Sequence, residues 1–170
     1  MKNNISSRVA YGGILTALAM IFSYAETLIP LNFGVPGIKL GLANLVVLLG
    51  LTFLKPVDVF LISMVRIFLS SLLFGNAMSL AYSLAGGILS FLVMLLISRM
   101  EGFSLIGISI AGGVTHNIGQ IVTAAIIVKT MKLTWYLPVL IVAGLITGAI
   151  VGAIAVSVMP AVKKVMKTQK

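Results

Sequence analysis

Long apolar runs dominate this sequence and limit the folds open to it. A helix needs about 20 mostly apolar residues to cross the hydrocarbon core of a membrane. Short breaks such as PLNFGVPG, KP, GNA, RMEG and KTMKLT separate six runs of this kind, at residues 9–29, 38–54, 57–75, 78–98, 104–128 and 136–159. The alternating polarity of membrane β-strands is absent from them. We therefore predict an all-α fold, an integral membrane bundle of six transmembrane helices forming a single domain, residues 1–170.

The composition agrees with this prediction. Of the 170 residues, 60% are hydrophobic and 9% are charged, and the mean hydropathy is +1.20. These values are typical of integral membrane proteins. The first apolar run resembles a signal peptide, but it continues through Phe22 toward Pro30 without a convincing small-residue cleavage site, so we interpret it as a retained first helix.

The distribution of Lys and Arg predicts the orientation, because these residues are enriched on the cytoplasmic side. One side carries Lys2, Arg8, Lys55, Arg99, Lys163, Lys164, Lys167 and Lys170, and the other carries Lys39, Lys129 and Lys132. We expect both termini in the cytoplasm, a multi-pass protein of the cell membrane, and a basic tail (160–170) near membrane lipid. The net charge of +9 then serves topology, and no nucleic-acid partner is expected.

Polar side chains inside the predicted spans are costly and need a partner, a cavity or a function. With about 1.5 Å of rise per residue, the predicted topology concentrates such groups in the outer half of the membrane. The candidate binding residues are Glu26, Lys39, Asn44, Arg66, His116, Asn117 and Gln120. His116 and Gln120 are four residues apart and share a helix face. This one-sided distribution predicts a pocket open to the outside, and its basic residues favour a polar or anionic small molecule over a cation.

Structural alternatives remain for these residues. The asparagines and the glutamine can hydrogen-bond neighbouring helices, as polar side chains commonly do in membrane bundles. His116 can be a satisfied interior histidine, and Arg66 can form an ion pair with Glu26. The sequence leaves these alternatives open beside the pocket.

Several kinds of chemistry are disfavoured by what the sequence lacks. There is no cysteine, which removes thiolate sites, and no GxxxxGK[ST] phosphate loop. The three acids, Glu26, Asp58 and Glu101, fall near different membrane surfaces, so they cannot hold Mg²⁺ against a diphosphate. One histidine is too few for zinc, and no aspartate lies at the depth that a Ser/His/Asp triad needs. We predict that the chain is not an enzyme and uses no cofactor or metal.

Four blocks in order, ETLIPLNFGVPGIKLGLANLVVLLGL, VRIFLSSLLFGN, YSLAGGILSFLVM and AGGVTHNIGQ, resemble a family of small bacterial membrane proteins. That family goes under two names, "heptaprenyl diphosphate synthase component I" and "Gx transporter". The resemblance covers the first five predicted spans. Because the acid clusters of a prenyl synthase are missing, we interpret the first name as an association with quinone or prenyl-chain biosynthesis.

The size and the six spans are also similar to the substrate-binding S components of energy-coupling factor transporters. That likeness implies capture of a vitamin-like solute, then toppling driven by a transmembrane coupling protein and two ATPases. S components typically dock through small residues at four-residue spacing on helix 1. Gly13 and Ala17, with Ala10 nearby, match this pattern, although Gly stands where the first Ala is typical.

The leading functional hypothesis is a substrate-binding membrane subunit of an uptake transporter, for a vitamin-like solute or a quinone or isoprenoid precursor. The alternative is a non-catalytic membrane accessory protein of prenyl-lipid or menaquinone metabolism, or of quinone-linked electron transfer. A third hypothesis is a proton-coupled carrier that uses Glu26 and His116.

Overall fold

The computed structural model describes residues 5–28 and 41–168 as a bundle of helices. No strand occurs within those two ranges. The helices are α1 (Ile5–Leu28), α2 (Asn44–Phe53), α3 (Pro56–Phe74), α4 (Ala77–Ser98), α5 (Leu105–Ile127) and α6 (Leu137–Thr168). A short 3₁₀ helix, Met131–Tyr136, precedes α6. The predicted all-α fold class is confirmed.

Five of the described helices, all but α2, are long and apolar enough to cross a membrane. Their outer faces carry large apolar side chains: Ile14, Leu72 and Ile126 are 65%, 65% and 70% exposed. Such surfaces would be unfavourable in water but suit contact with lipid. The chain is therefore a multi-pass membrane protein.

The helix α2 differs from the predicted second span, 38–54. It has ten residues, about 15 Å at the standard rise, which is half of a hydrocarbon core of about 30 Å. A turn precedes it, with Gly41 at φ +84. Because a left-handed residue interrupts a right-handed helix, α2 cannot extend backwards through Gly41. Residues 38–40 of the predicted span lie outside the described residues.

The four predicted breaks after the second span, KP, GNA, RMEG and KTMKLT, lie at the boundaries between consecutive α-helices, while the first break lies outside the described residues. Pro56 occupies the first turn of α3, where its missing N–H removes no helical hydrogen bond. The Oδ1 atom of Asn76 accepts a 2.8 Å hydrogen bond from the Ser79 N–H, and the Ser104 hydroxyl accepts one of 3.1 Å from the Gly107 N–H. Both are N-caps, which satisfy backbone donors at the starts of α4 and α5.

The last helix is longer than the sequence predicts. We expected a span ending at 159 and a basic tail, but α6 continues through Pro160 to Thr168. Proline removes a helical hydrogen bond, yet the residues that follow it, AVKKVMK, are mostly good helix formers. The predicted tail is therefore largely a continuation of α6.

Glycines line the contact between α5 and α6. A Cβ atom added at Gly113 would lie 2.7 Å from the Gly144 carbonyl oxygen, and one at Gly148 would lie 2.6 Å from the Ile110 Cα. The two backbones therefore touch directly. Gly144, Gly148 and Gly152 recur every four residues on one face of α6. We call these three glycines, together with Gly113, the glycine seam, an arrangement that lets membrane helices gain close van der Waals packing.

An apolar core surrounds α2 in the interior of the bundle. This short helix packs against all five other helices. The apolar core consists of Leu45, Val47, Leu48, Leu49, Val59, Phe91, Met94, Ile108, Val151, Ala155 and Met159. Four of these residues belong to α2, and the others come from the first turns of α3 and α5 and from the later parts of α4 and α6. The apolar core therefore occupies the end of the bundle where α2 leads into α3.

Candidate functional site

Arg66 is buried in the middle of α3, about 15 Å from the start of that helix. Its side chain is 2% exposed. Its Nη1 donates a 3.4 Å hydrogen bond to the hydroxyl of Ser23 on α1. Its Nε and Nη2 are also buried, and neither has a hydrogen-bond partner in the described part of the chain. A guanidinium is costly at this depth unless its donors are satisfied, so the site suits an anionic ligand.

Glu26 lies near the end of α1 and is 8% exposed. Its Oε1 accepts a 2.6 Å hydrogen bond from the backbone N–H of Leu42, just before α2. A carboxylate at this position also stabilises the positive end of the α2 dipole. Glu26 attracts Arg66 electrostatically, while the hydrogen bond found for Arg66 goes to Ser23. Glu26 thus links α1 to the start of α2 beside the arginine.

His116 and Gln120 form a pair on α5, as their spacing predicts. The Nε2 atoms of the two side chains are 2.7 Å apart. Because an amide nitrogen donates and does not accept, the ring nitrogen is the acceptor in this contact. Both side chains are buried and pack on Gly86 of α4, where an added Cβ would lie 2.6 Å from the His116 carbonyl oxygen and 2.9 Å from the Gln120 Cγ.

Asn44 begins α2 and extends the same polar group. Its Nδ2 donates a 3.2 Å hydrogen bond to the Ser90 hydroxyl on α4. A Cβ added at Gly41 would lie 3.2 Å from that Nδ2 and 3.2 Å from the His116 Cδ2. The glycine therefore allows the turn before α2 to lie against both side chains.

Asn117 faces a different neighbour from His116. Its Nδ2 donates a 2.7 Å hydrogen bond to the backbone carbonyl of Leu140 on α6, and the side chain is fully buried. Successive residues of an α-helix point about 100° apart, so His116 faces α2 and α4 while Asn117 faces α6. This bond joins two helices, the structural alternative that the sequence left open for Asn117.

The buried polar residues form two groups at the same depth, on two sides of α4, rather than one continuous polar surface. Ile67, next to Arg66, packs where a Cβ on Gly87 would lie, while His116 packs against the adjacent Gly86. Arg66 and His116 therefore lie at the same level on two sides of α4. In the described part of the chain α3 and α5 do not touch, and α2 contacts both. The Arg66 group includes Ser23 and Glu26, and the His116 group includes Gln120, Gly41 and Asn44.

Other predicted residues lie elsewhere. Lys39 is outside the described residues. The predicted docking residues Ala10, Gly13 and Ala17 are all exposed on α1, and a Cβ added at Gly13 would have no atom within 4 Å. This face of α1 takes no part in the packing of the described bundle.

Three buried serines on α3 and α4 were not among the predicted site residues. Ser71, Ser79 and Ser83 are each at most 4% exposed, and within residues 9–28 and 41–164 their hydroxyls have no hydrogen-bond partner. Ser71 and Ser79 meet at the turn between the helices, since a Cβ at Gly75 would lie 3.0 Å from the Ser79 Oγ and 3.1 Å from the Ser71 carbonyl oxygen. The four-residue spacing of Ser79 and Ser83 inside an apolar helix was the available signal.

The acidic residues are far apart along the bundle. Glu26 lies near the end of α1, Asp58 in the first turn of α3, and Glu101 in the connection after α4. Because α1 and α3 run in the same direction, Glu26 and Asp58 lie toward opposite ends. Within the described ranges, no three His, Asp or Glu side chains come close enough to hold a metal ion.

Two open spaces lie among the described helices. A groove of about 470 Å³ lies between α1 and α3, lined by Val9, Gly12, Thr16, Asp58, Leu61, Ile62 and Val65. A narrow gap beside the His116 group is lined by Gly41, Asn44, Ser109, Gly113, Thr147, Gly148 and Val151. The groove is mostly apolar, so the buried donors of Arg66 are better suited to bind a polar ligand.

The two left-handed glycines give a test of the His116 group. Gly41→Ala and Gly102→Ala, at φ +84 and +91, should each cost about 1 kcal/mol in backbone strain. An added Cβ meets nothing within 4 Å at Gly102, but it crowds His116 and Asn44 at Gly41. We therefore expect Gly41→Ala alone to weaken retention of a copurifying ligand, measured by mass spectrometry beside thermal unfolding in detergent. Equal ligand retention in the two variants would show that Gly41 serves only the turn.

Most of this chain matches a known protein family. A family model described as heptaprenyl diphosphate synthase component I matches residues 15–158, which include α2 to α5, the 3₁₀ helix and most of α1 and α6. No curated protein and no solved structure gives a significant match, so the likeness to S components of energy-coupling factor transporters stays a prediction. Since the matched region covers well over half of the sequence, the chain belongs to the heptaprenyl diphosphate synthase component I family.

Proposed function

We propose that this chain is the substrate-binding membrane subunit of an uptake transporter for a small anionic solute. The observation that carries the proposal is Arg66, which is 2% exposed at mid-depth with two buried donor nitrogens unbonded in the described residues. A protein gains little stability from a charge held in this way. A bound anion would supply the missing hydrogen bonds and add negative charge to that of Glu26.

Three further residues of the proposed site, His116, Gln120 and Asn44, lie near the depth of Arg66 and offer ring and amide groups on the other side of α4. The sequence also contains Lys39, which we include in the site for its positive charge. The Lys and Arg count supports an orientation with both termini in the cytoplasm of a cell-membrane protein. In that orientation the polar residues lie toward the outside, and the apolar core closes the cytoplasmic half.

Energy for uptake would come from partners. The chain contains no phosphate loop for ATP, so we assign this step to a transmembrane coupling protein and ATPases. The exposed small residues of α1, Ala10, Gly13 and Ala17, would allow a partner helix to approach closely.

The proposal is tested by identifying what copurifies with the protein in mild detergent. We expect mass spectrometry to find a small anionic molecule, lost in Arg66→Ala and in His116→Ala while both variants still elute as single species. The control is Ser157→Ala, an exposed serine of α6 whose hydroxyl donates to the Ala153 carbonyl, which should keep the molecule. Unchanged uptake in cells carrying Arg66→Ala and His116→Ala together would contradict the proposed site.

A second candidate function is favoured by the family description, which names a component of a synthase. In this role the chain would be a non-catalytic membrane partner of a prenyl-diphosphate enzyme. Its separated acids do not provide the clustered oxygen ligands that a magnesium diphosphate needs, so catalysis would belong to the partner. Copurification of a soluble prenyl synthase without coupling ATPases would favour this function over transport.

A further inference from the structure

The guanidinium of Arg66 has two edges with different surroundings. Nη1 belongs to one edge and hydrogen-bonds the Ser23 hydroxyl at 3.4 Å. Nε and Nη2 form the other edge, on which two N–H bonds point the same way in a fixed fork. Both of these nitrogens are buried and have no hydrogen-bond partner among residues 9–28 and 41–164.

The nearest described acid engages a different donor. Glu26 attracts Arg66 electrostatically, but its Oε1 accepts the backbone N–H of Leu42 at 2.6 Å. Ser63, three residues before Arg66 on α3, shares its face of the helix. The Ser63 hydroxyl is likewise buried without a hydrogen-bond partner in the described ranges. Two nitrogens of Arg66 and the Ser63 hydroxyl thus lie buried on this face of α3 without a hydrogen-bond partner in the described ranges.

We infer that the Nε–Nη2 edge of Arg66 binds a group with two anionic oxygens, a carboxylate or a phosphate, with one oxygen on each nitrogen. Parallel N–H···O bonds of this kind are the geometry in which arginine recognises such groups, and lysine cannot reproduce it. The inference rests on the proposed function and narrows its substrate class: the solute carries a carboxylate or phosphate. A single-atom anion or a neutral amide cannot place a separate anionic oxygen on each of the two donors.

The test uses the full-length protein in detergent, with hexanoate and inorganic phosphate as probes. Hexanamide is the neutral match for hexanoate, and chloride is the single-atom anion. We expect hexanoate or phosphate to raise the melting temperature of the wild type with saturation, as ligands that bind the folded state do, and hexanamide to have no effect. In Arg66→Lys, which keeps the charge but loses the fork, we expect the dissociation constant to rise at least about tenfold.

The inference is overturned if neither probe stabilises the wild type more than hexanamide and chloride do, or if Arg66→Lys binds the probes as tightly as the wild type. Should Arg66→Lys not fold, the comparison of hexanoate with hexanamide on the wild type still tests the inference.

Native mass spectra identify the source of the bound group. A soluble carboxylate or phosphate compound supports both proposals. A phospholipid held by Arg66 supports the inference while removing support for uptake. Uptake of a solute without such a group contradicts the inference and leaves the transport function standing.

Discussion

Gly113→Ala is expected to lower the melting temperature of the purified protein by about 10 °C, whereas Gly107→Ala on the same helix leaves it unchanged or raises it slightly. The new methyl group at Gly113 would lie 2.7 Å from the Gly144 carbonyl oxygen, a backbone atom that cannot rotate away. The two helices must separate, at a cost of about 3 kcal/mol for overpacking. For a chain of this size each kcal/mol shifts the midpoint by about 2–4 °C.

Gly107 is the matched control because the same atoms are added to the same helix. A Cβ there would meet the Ser104 Oγ at 3.6 Å and the Phe103 Cδ1 at 3.8 Å, which are ordinary contacts. Alanine is the better helix former in both positions, so the intrinsic effect favours both variants equally. Gly148→Ala, facing the Ile110 Cα at 2.6 Å, should behave like Gly113→Ala. Equal melting temperatures for Gly113→Ala and Gly107→Ala would mean that the glycine seam is not a close backbone contact.

Arg66→Met should produce a protein that is more stable than the wild type and no longer retains ligand. Methionine fills a comparable volume without a charge and adapts to irregular spaces. A buried guanidinium whose donors lack hydrogen bonds carries a desolvation cost that methionine does not, and replacing buried ions as a whole pair by apolar side chains is commonly neutral or stabilising, by about 1–4 kcal/mol. Thermal unfolding in detergent measures the first effect, and mass spectrometry of the copurified molecule measures the second.

A loss of thermal stability in Arg66→Met would instead identify a structural role for the arginine. If Arg66 were kept for an ion pair with Glu26, removing it would leave a buried carboxylate without its counter-charge and destabilise the protein by about 3–5 kcal/mol. Arg99→Met is the control, since Arg99 is exposed at the end of α4. This variant should change neither the melting temperature nor the retained ligand by a measurable amount.

The helices that cross the membrane could be predicted because their apolar length has one interpretation in lipid. Pro56, Asn76 and Ser104 also marked helix starts, since each supplies local chemistry that a helix end requires. The short helix α2 could not be predicted from length, because its apolar residues continue the run on both sides. Its start depends on the left-handed backbone of Gly41 and on burial against five neighbouring helices.

For the candidate site, the sequence predicted which residues are polar and their approximate depth, but not which neighbour each one faces. His116 and Gln120 pair within one helix, so their spacing was sufficient. Asn117 hydrogen-bonds Leu140 on α6, and no local pattern predicts which helix packs beside α5. The Ser23 partner of Arg66 depends in the same way on the parallel packing of α1 and α3.

The half-length of α2 has a consequence for how the protein is made. Ten residues are too few to be held across a bilayer by their own hydrophobicity, since a stable insertion needs about 20. The turn at Gly41 also carries irregular backbone at membrane depth, which is tolerated only when other protein covers it. Among the helices that cover α2 is α6, which leaves the ribosome after α1 to α5. The segment around α2 therefore reaches its final place only after α6 has been synthesised, and truncation products that lack α6 should leave it exposed to membrane quality-control proteases.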